Sequence, residues 1–185
     1  MTGVFSAIPN YKRIPLTQIG YMNFPTTYFY NAKINPEYAK INRIEETRGK
    51  KVAVMGGTKI YEDVITKSGG KIIKVSSAQK VFEMLNEGTV HFAHSALIST
   101  LQSIEKDPEN KDITPFKFNI TNLVSGLIFR EGVNNIKDDF LFEVKKLYKN
   151  GILHSIFKKA LLSIPTANVE SLYPKKIEVK VNTPQ

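Results

Sequence analysis

The 185-residue chain contains no cysteine, no tryptophan and only three histidines. Without cysteine it can form no disulfide bond, no thiolate metal site and no cysteine nucleophile. Three histidines also leave few nitrogen ligands for a metal ion. We therefore predict no metal site, and no bound cofactor either.

Long apolar runs are missing as well. No stretch approaches the roughly 20 apolar residues that span a bilayer. Residues 1–5 have neither the charged start nor the apolar core of a secretion signal. Yet 42% of the residues are hydrophobic, which is enough to bury a core in one domain or two small lobes.

Acidic residues are fewer than basic ones, 17 against 26, so the net charge is +9. Such a balance is compatible with a nucleic-acid partner or an acidic surface. The lysines and arginines are spread along the chain, however, and the densest clusters are Arg48–Lys51, Lys145–Lys146, Lys158–Lys159 and Lys175–Lys176. Most lie at the ends or outer faces of predicted elements, which is typical of solvated lysines. We predict no nucleic-acid partner.

Catalytic motifs are absent too. The sequence has no Gly-x-Ser-x-Gly turn, no His-Glu-x-x-His pattern and no Gly-Lys-Ser/Thr phosphate loop. The carboxylates of Glu45, Glu46, Glu62 and Asp63 fall where ordinary helix caps fall. The sequence therefore predicts a protein that is not an enzyme.

Strand and helix patterns alternate regularly from residue 52 onward. The predicted elements of this part are, in order, strand Val52–Met55, helix Lys59–Ser68, strand Lys71–Val75, a helix capped by Ser76–Ser77, strand Val90–His94 and helix Ser95–Lys106. This order predicts an α/β fold with a mostly parallel sheet.

The remaining elements are less regular. Further strands are predicted at Val4–Ile8, Thr26–Tyr30, Phe116–Ile120, Val124–Phe129 and Ile177–Val181, and helices at Asp138–Asn150 and Ile152–Leu162. Residues 11–24 contain Pro15 and Gly20, which predicts an irregular segment.

The junction after the Val52 strand is the first candidate binding site. Gly56 and Gly57 allow a tight turn, and Thr58 can cap the following helix. The free N–H groups of a helix start favour an anion, although a simple turn that needs glycines explains the same residues. His94 and Ser95 fall at the carboxyl end of a predicted strand, where α/β sheets bind ligands, but a structural histidine fits His94 equally well.

Arg13 is a further candidate, because its planar side chain suits a carboxylate or a phosphate. It is the one arginine between the first two predicted strands. On spacing alone, a solvated arginine is the simpler interpretation.

Four segments together resemble one family, the bacterial extracytoplasmic solute-binding proteins of the polar-amino-acid transporter type, which have the type II periplasmic binding fold. They are Arg48–Thr58, Phe82–Ala93, Ser125–Gly132 and Val144–Ala160. The resemblance implies two lobes, with lobe two at residues 44–120 and a partial lobe one at residues 1–33 and 124–185. Residues 26–32 and 121–130 would be the hinge strands.

The resemblance also implies a function. The chain would bind a small polar or anionic solute, an amino acid or organic acid, between two lobes as the substrate-binding component of an ABC-type uptake system. Its partner would be a membrane permease. The protein would be located in the periplasm or on the extracellular face of the membrane. The implied ligand contacts are Arg13, Gly57 and Thr58, with Tyr28, His94 and Ser95 beside them.

Two departures from the family accompany these expectations. An aspartate that commonly meets the ligand's amino group is absent from His94–Leu97, so a ligand without an α-amino group is equally open. The first lobe is incomplete, which fits a fragment or a reduced member, and its exposed sheet edge would favour a homodimer. The alternative function is a ligand-sensing or protein-interaction module with a degenerate cleft.

Overall fold

The computed structural model describes residues 16–56, 59–118, 120–130, 132–161 and 176–182. The strands in these residues are β1 (Leu16–Asn31), β2 (Lys51–Met55), β3 (Lys71–Val75), β4 (Phe92–Ala96), β5 (Ile113–Pro115), β6 (Thr121–Arg130) and β7 (Glu178–Asn182). The helices are α1 (Lys59–Lys67), α2 (Ala78–Asn86), α3 (Leu97–Lys106), α4 (Asn134–Lys149) and α5 (Ile152–Leu161). Short 3-10 segments occur at Pro36–Lys40, Ile44–Thr47 and Pro108–Asn110. None of the described helices has both the length and the hydrophobicity that a membrane crossing requires.

The chain forms two compact units. One, here the central unit, is Pro25–Thr121, and the other, the terminal unit, combines Met1–Phe24 with Asn122–Gln185. Strand β1 contributes its first part to the terminal unit and its second part to the central unit. The predicted lobe boundaries at residues 44, 120 and 124 stay predictions.

The central unit contains a sheet of order β3-β2-β4-β1-β5. Strand β2 lies parallel to both β3 and β4, while β1 runs antiparallel to β4 and β5. The alternation of strands and helices after residue 50 produces this parallel part, because each helix returns the chain to the same edge of the sheet. The predicted α/β fold is therefore confirmed.

Both faces of this sheet are covered, which explains the continuous apolar run in β2. Val52 and Val54 point into one hydrophobic cluster with Tyr28 and Phe92, whereas Ala53 points into another on the opposite face. All three β2 side chains are fully buried. A strand buried on both faces needs apolar residues at every position, and not only at alternate ones.

The terminal unit is built on the first part of β1. Residues Leu16–Gly20 pair antiparallel with β7, and β6 also pairs with β1. Its core contains Ile19, Phe129 and Val144. Gly151, with φ of 70°, separates α4 from α5, as the sequence predicted, because that backbone angle costs glycine least.

Two predictions about strands were wrong. Residues 16–24 are part of β1 and not irregular, since Gly20 lies directly against Val124 and Gly126 against the Ile19 carbonyl. At both positions the absence of a side chain lets a neighbouring strand lie close to the glycine backbone. Gly20 is therefore a residue of a packed strand and does not mark an irregular segment.

The second error concerns Phe116–Ile120. Strand β5 ends at Pro115, and beyond it Phe116 N and Ile120 N still donate to Tyr28 O and Thr26 O of β1. The two donors are four positions apart in the chain, whereas their two acceptors on β1 are only two positions apart. The segment after β5 therefore cannot continue as a regular strand paired with β1. The predicted strand Val4–Ile8 lies outside the described residues.

Candidate functional site

The carboxyl ends of the parallel strands meet at one edge of the central unit. Strands β2, β3 and β4 end at Met55, Val75 and Ala96. Gly56 N donates to Val75 O at 3.0 Å, which fixes the turn after β2 against the end of β3. Helix α1 begins at Lys59, so its first turn lies at this edge, which we call the carboxyl edge.

Three predicted site residues, Arg13, Gly57 and Thr58, lie outside the described residues. Their ligand-binding roles stay predictions. Of their described neighbours, Gly56 follows β2 and Lys59 begins α1.

His94 lies at the carboxyl edge but inside the protein, with 3% of its surface exposed. Its Nε2 is 2.9 Å from Thr26 Oγ1, which is in turn 2.6 Å from Thr121 Oγ1. The Tyr61 ring of α1 lies over the imidazole with ring centres 4.5 Å apart. In the described part of the chain Nδ1 has no hydrogen-bond partner of good geometry.

The surroundings of His94 keep it uncharged. Burial lowers the pKa of His94 to about 4, and the nearby Tyr61 backbone carbonyl offsets this only in part. An imidazolium would lose its hydration here without gaining a carboxylate. At neutral pH His94 is therefore a neutral, polar component of the core.

Tyr28 is fully buried beside it. Its ring stacks on Phe92 at 5.6 Å and meets the His94 ring edge-on at 5.2 Å. The hydroxyl lies near those of Ser68 and Thr47 but has no hydrogen bond of good geometry among the described residues, and burial raises the pKa of Tyr28. This burial favours a structural role for both Tyr28 and His94, and their contact with a ligand stays a prediction.

Ser95 is the more accessible of the predicted residues. It belongs to β4, opposite Thr27 of β1, and not to the start of α3 as the sequence predicted. The reason is that β1 continues to pair with β4 as far as Ala96. Ser95 Oγ accepts a hydrogen bond from Thr100 Oγ1 at 2.8 Å, and the side chain is half-buried.

Two residues that the sequence did not single out complete this cluster. Thr26 precedes Tyr28 by two positions on β1, so both face the same side of the sheet. Tyr61 lies in the first turn of α1, and burial raises the pKa of its hydroxyl. The period of two along β1 could have identified Thr26, whereas the contact between Tyr61 and His94 depends on tertiary packing.

The arrangement offers hydroxyl groups and helix N–H groups rather than metal ligands. His91, which precedes β4, accepts a hydrogen bond from Lys51 N through Nδ1 at 3.1 Å. No group of three histidine or acidic side chains in the described ranges is placed to hold a metal ion. A shallow groove of about 420 Å³ lies elsewhere in the central unit, between α2 and Asp107–Asn110, and contains none of the predicted site residues.

Comparison with known proteins identifies the fold of the chain. No protein-family model matches the chain, and no curated protein matches it in sequence. Among solved structures it is similar to the GluR0 ligand-binding core in complex with L-glutamate, with a TM-score of 0.69 and 13% identity over 82% of this chain and 66% of the other. The chain has the type II periplasmic binding fold.

Two further structures share this fold. One is an amino acid ABC transporter substrate-binding protein from Streptococcus pneumoniae bound to L-arginine, with a TM-score of 0.65 and 14% identity over 87% of this chain and 67% of that one. The other is a histidine kinase sensor domain with similarity to periplasmic binding proteins, with a TM-score of 0.61 and 17% identity over 79% and 67%. The chain thus spans about two thirds of the length of the proteins that it matches.

Proposed function

We propose that this chain binds a small polar or anionic solute, an amino acid or organic acid, as the substrate-binding component of an ABC-type uptake system. The proposal includes a membrane permease as partner and a location in the periplasm or on the extracellular face of the membrane. It also includes the absence of enzymatic activity. Its support is the shared fold with receptors crystallised with L-glutamate and L-arginine. At such low sequence identity the ligand itself is part of the proposal.

The observation that carries this proposal is the convergence of β2, β4 and the start of α1 at the carboxyl edge. Open α/β sheets bind ligands at such an edge. The first-turn N–H groups of α1 have no partner within the helix and carry the positive end of its dipole, so they favour a carboxylate oxygen. Ser95 lies at the same edge and keeps part of its side chain exposed.

The proposed ligand contacts are Arg13, Gly57 and Thr58, with Ser95 beside them and Tyr28 and His94 supporting the strands from within. An arginine fork and a threonine hydroxyl with its N–H would together satisfy a carboxylate. We expect Arg13→Ala and Thr58→Ala to weaken binding in titration calorimetry without unfolding the chain. Arg43→Ala, which removes an exposed arginine of the central unit, is the matched control. Unchanged affinity in the Arg13 variant would exclude that residue from the site.

A second function is supported by the burial of Tyr28 and His94. If ligand contacts have been lost to the core, the chain is a ligand-sensing or protein-interaction module on the same fold. A histidine kinase sensor domain with this fold is an example. A module that binds a protein partner and no small molecule predicts no change of melting temperature with any solute of a broad library, whereas solute binding predicts a concentration-dependent rise.

A homodimer is also part of the proposal. Nine large hydrophobic residues are exposed among those that the structure describes, and seven of them belong to the terminal unit: Val133, Ile136, Phe142, Ile152, Ile156, Val179 and Val181. We propose that some of these side chains contact a second copy of the chain. Light scattering at micromolar concentration would measure the mass directly, and a monomer would contradict the dimer.

A further inference from the structure

Four cations lie together at the amino ends of the parallel strands, on the edge opposite the candidate site. They are Arg48, Lys50, Lys51 and Lys71, and we call them the basic edge. Lys51 and Lys71 are direct neighbours on β2 and β3. Lys71 N donates to Lys50 O at 2.8 Å, and Gly49 N donates to Gly69 O at 2.9 Å. The backbone that presents these side chains is therefore held by the sheet and not by a free loop.

Within the described ranges none of these four cations forms an ion pair, although other lysines do. Lys59 pairs with Asp63, Lys74 with Glu62 and Lys80 with Glu83, each at 2.8–2.9 Å. Like charges opposite each other on neighbouring strands destabilise a sheet. The basic edge therefore has a folding cost that an anionic partner would relieve.

The imidazole of His91 shows the sign of the local potential. Its Nδ1 accepts the Lys51 N–H, and the pKa of His91 is lowered by partial burial and then by the charges of Lys50 and Lys51. Lys50 Nζ is held 5.5 Å above the ring of Tyr38. Tyr38 is itself buried with 6% exposure, so its ring is not available for stacking bases.

One exposed apolar side chain lies at the same end of the sheet, because β1 runs antiparallel to β4. Ile34, with 45% of its surface exposed, lies in the loop after β1 beside Gly88, and Gly88 precedes His91 by three residues. Lys33, next to it, is exposed as well. Exposed lysines and an exposed aliphatic residue at one end of a sheet are suited to a surface of anionic headgroups over an apolar layer.

We propose that the basic edge of the central unit docks on an anionic phospholipid surface. Single-stranded nucleic acid fits less well, since it is recognised by stacking on exposed aromatic rings. An acidic protein fits less well, since protein partners are usually anchored by large side chains in pockets. Lipid headgroups require only charge density, to which each lysine near the surface contributes about 1 kcal/mol.

The test is sedimentation of the full chain with vesicles. The chain is mixed with vesicles of equimolar phosphatidylglycerol and phosphatidylcholine, or of phosphatidylcholine alone, at low and at physiological salt. We expect binding to the anionic vesicles only, and weaker binding at higher salt. Lys51→Gln with Lys71→Gln should reduce the partition coefficient about 25-fold, since about 1 kcal/mol per lysine is roughly a factor of five.

The matched control is Lys59→Gln with Lys80→Gln. It removes the same charge from the first turns of α1 and α2, at the carboxyl edge, and should bind the vesicles like the original chain. A second measurement checks that the test variant is folded: its circular dichroism spectrum and its urea unfolding midpoint should match those of the original chain.

Three results would overturn the proposal. They are equal binding to both vesicle types, equal loss of binding in the two double variants, and capture by poly-glutamate without binding to anionic vesicles. The last would assign the basic edge to an acidic protein partner.

Discussion

Acidification should destabilise the central unit through His94. Burial lowers the folded-state pKa of His94 to about 4 from 6.5, so between these values the unfolded chain binds more protons than the folded chain. Stability therefore rises with pH, is complete above about pH 6.5 and is lost as pH falls towards 4. At about 1.4 kcal/mol per pKa unit, the loss is roughly 3 kcal/mol, a large share of the free energy of unfolding of a small domain.

The assay is urea unfolding followed by circular dichroism and tyrosine fluorescence at pH 7, 6, 5 and 4. Carboxylates also titrate near pH 4, so the informative quantity is the difference between the original chain and His94→Gln. The variant should be less stable at pH 7 but should lose roughly 3 kcal/mol less on acidification. His154→Gln, in α5, is the matched control and should keep the full loss. Parallel pH profiles for the original chain and His94→Gln would refute the reasoning.

Three further predictions concern stability and can be measured by urea unfolding. Phe92→Ala should cost about 3–5 kcal/mol because the ring is fully buried, whereas Phe142→Ala, with the ring 66% exposed, should change the free energy of unfolding by less than about 0.5 kcal/mol. Gly126→Ala should cost about 1–3 kcal/mol because its new methyl group would overlap a backbone carbonyl of β1; Gly56→Ala has ordinary contact distances and should be nearly neutral. Ser77→Ala should cost about 1 kcal/mol, because the Ser77 hydroxyl accepts the Lys80 N–H at the start of α2. If Phe92→Ala or Gly126→Ala left the free energy of unfolding nearly unchanged, the packing arguments would be wrong. If Ser77→Ala left it unchanged, the capping argument would be wrong.

The parallel part of the sheet could be predicted because its signals are local. The apolar run from Val52 and the cap at Ser77 each act within a few residues of chain. Their alternation predicts parallel strands, because parallel neighbours need a crossover connection, which is usually a helix. The carboxyl ends of parallel strands lie at one edge of the sheet, so the sequence also predicted that His94 lies at that edge.

The errors occurred where distant segments decide the structure. Gly20 belongs to a strand because Val124, more than a hundred residues later, packs where a side chain would be. The bend after Pro115 depends on the hydrogen bonds of β1. Within the site, the burial of His94 under Tyr61 depends on how α1 packs on the sheet. No periodicity in either segment encodes that contact.

The central claim, that the chain binds a small polar or anionic solute, is tested most directly by thermal melting against L-amino acids and organic acids. We expect at least one solute to raise the melting temperature in a saturable way, by an amount equivalent to about 2.7 kcal/mol at a hundred times its Kd. The same solute should have a smaller effect on the Arg13→Ala and Thr58→Ala variants and an unchanged effect on Arg43→Ala. A folded chain whose melting temperature responds to none of these solutes would contradict the claim.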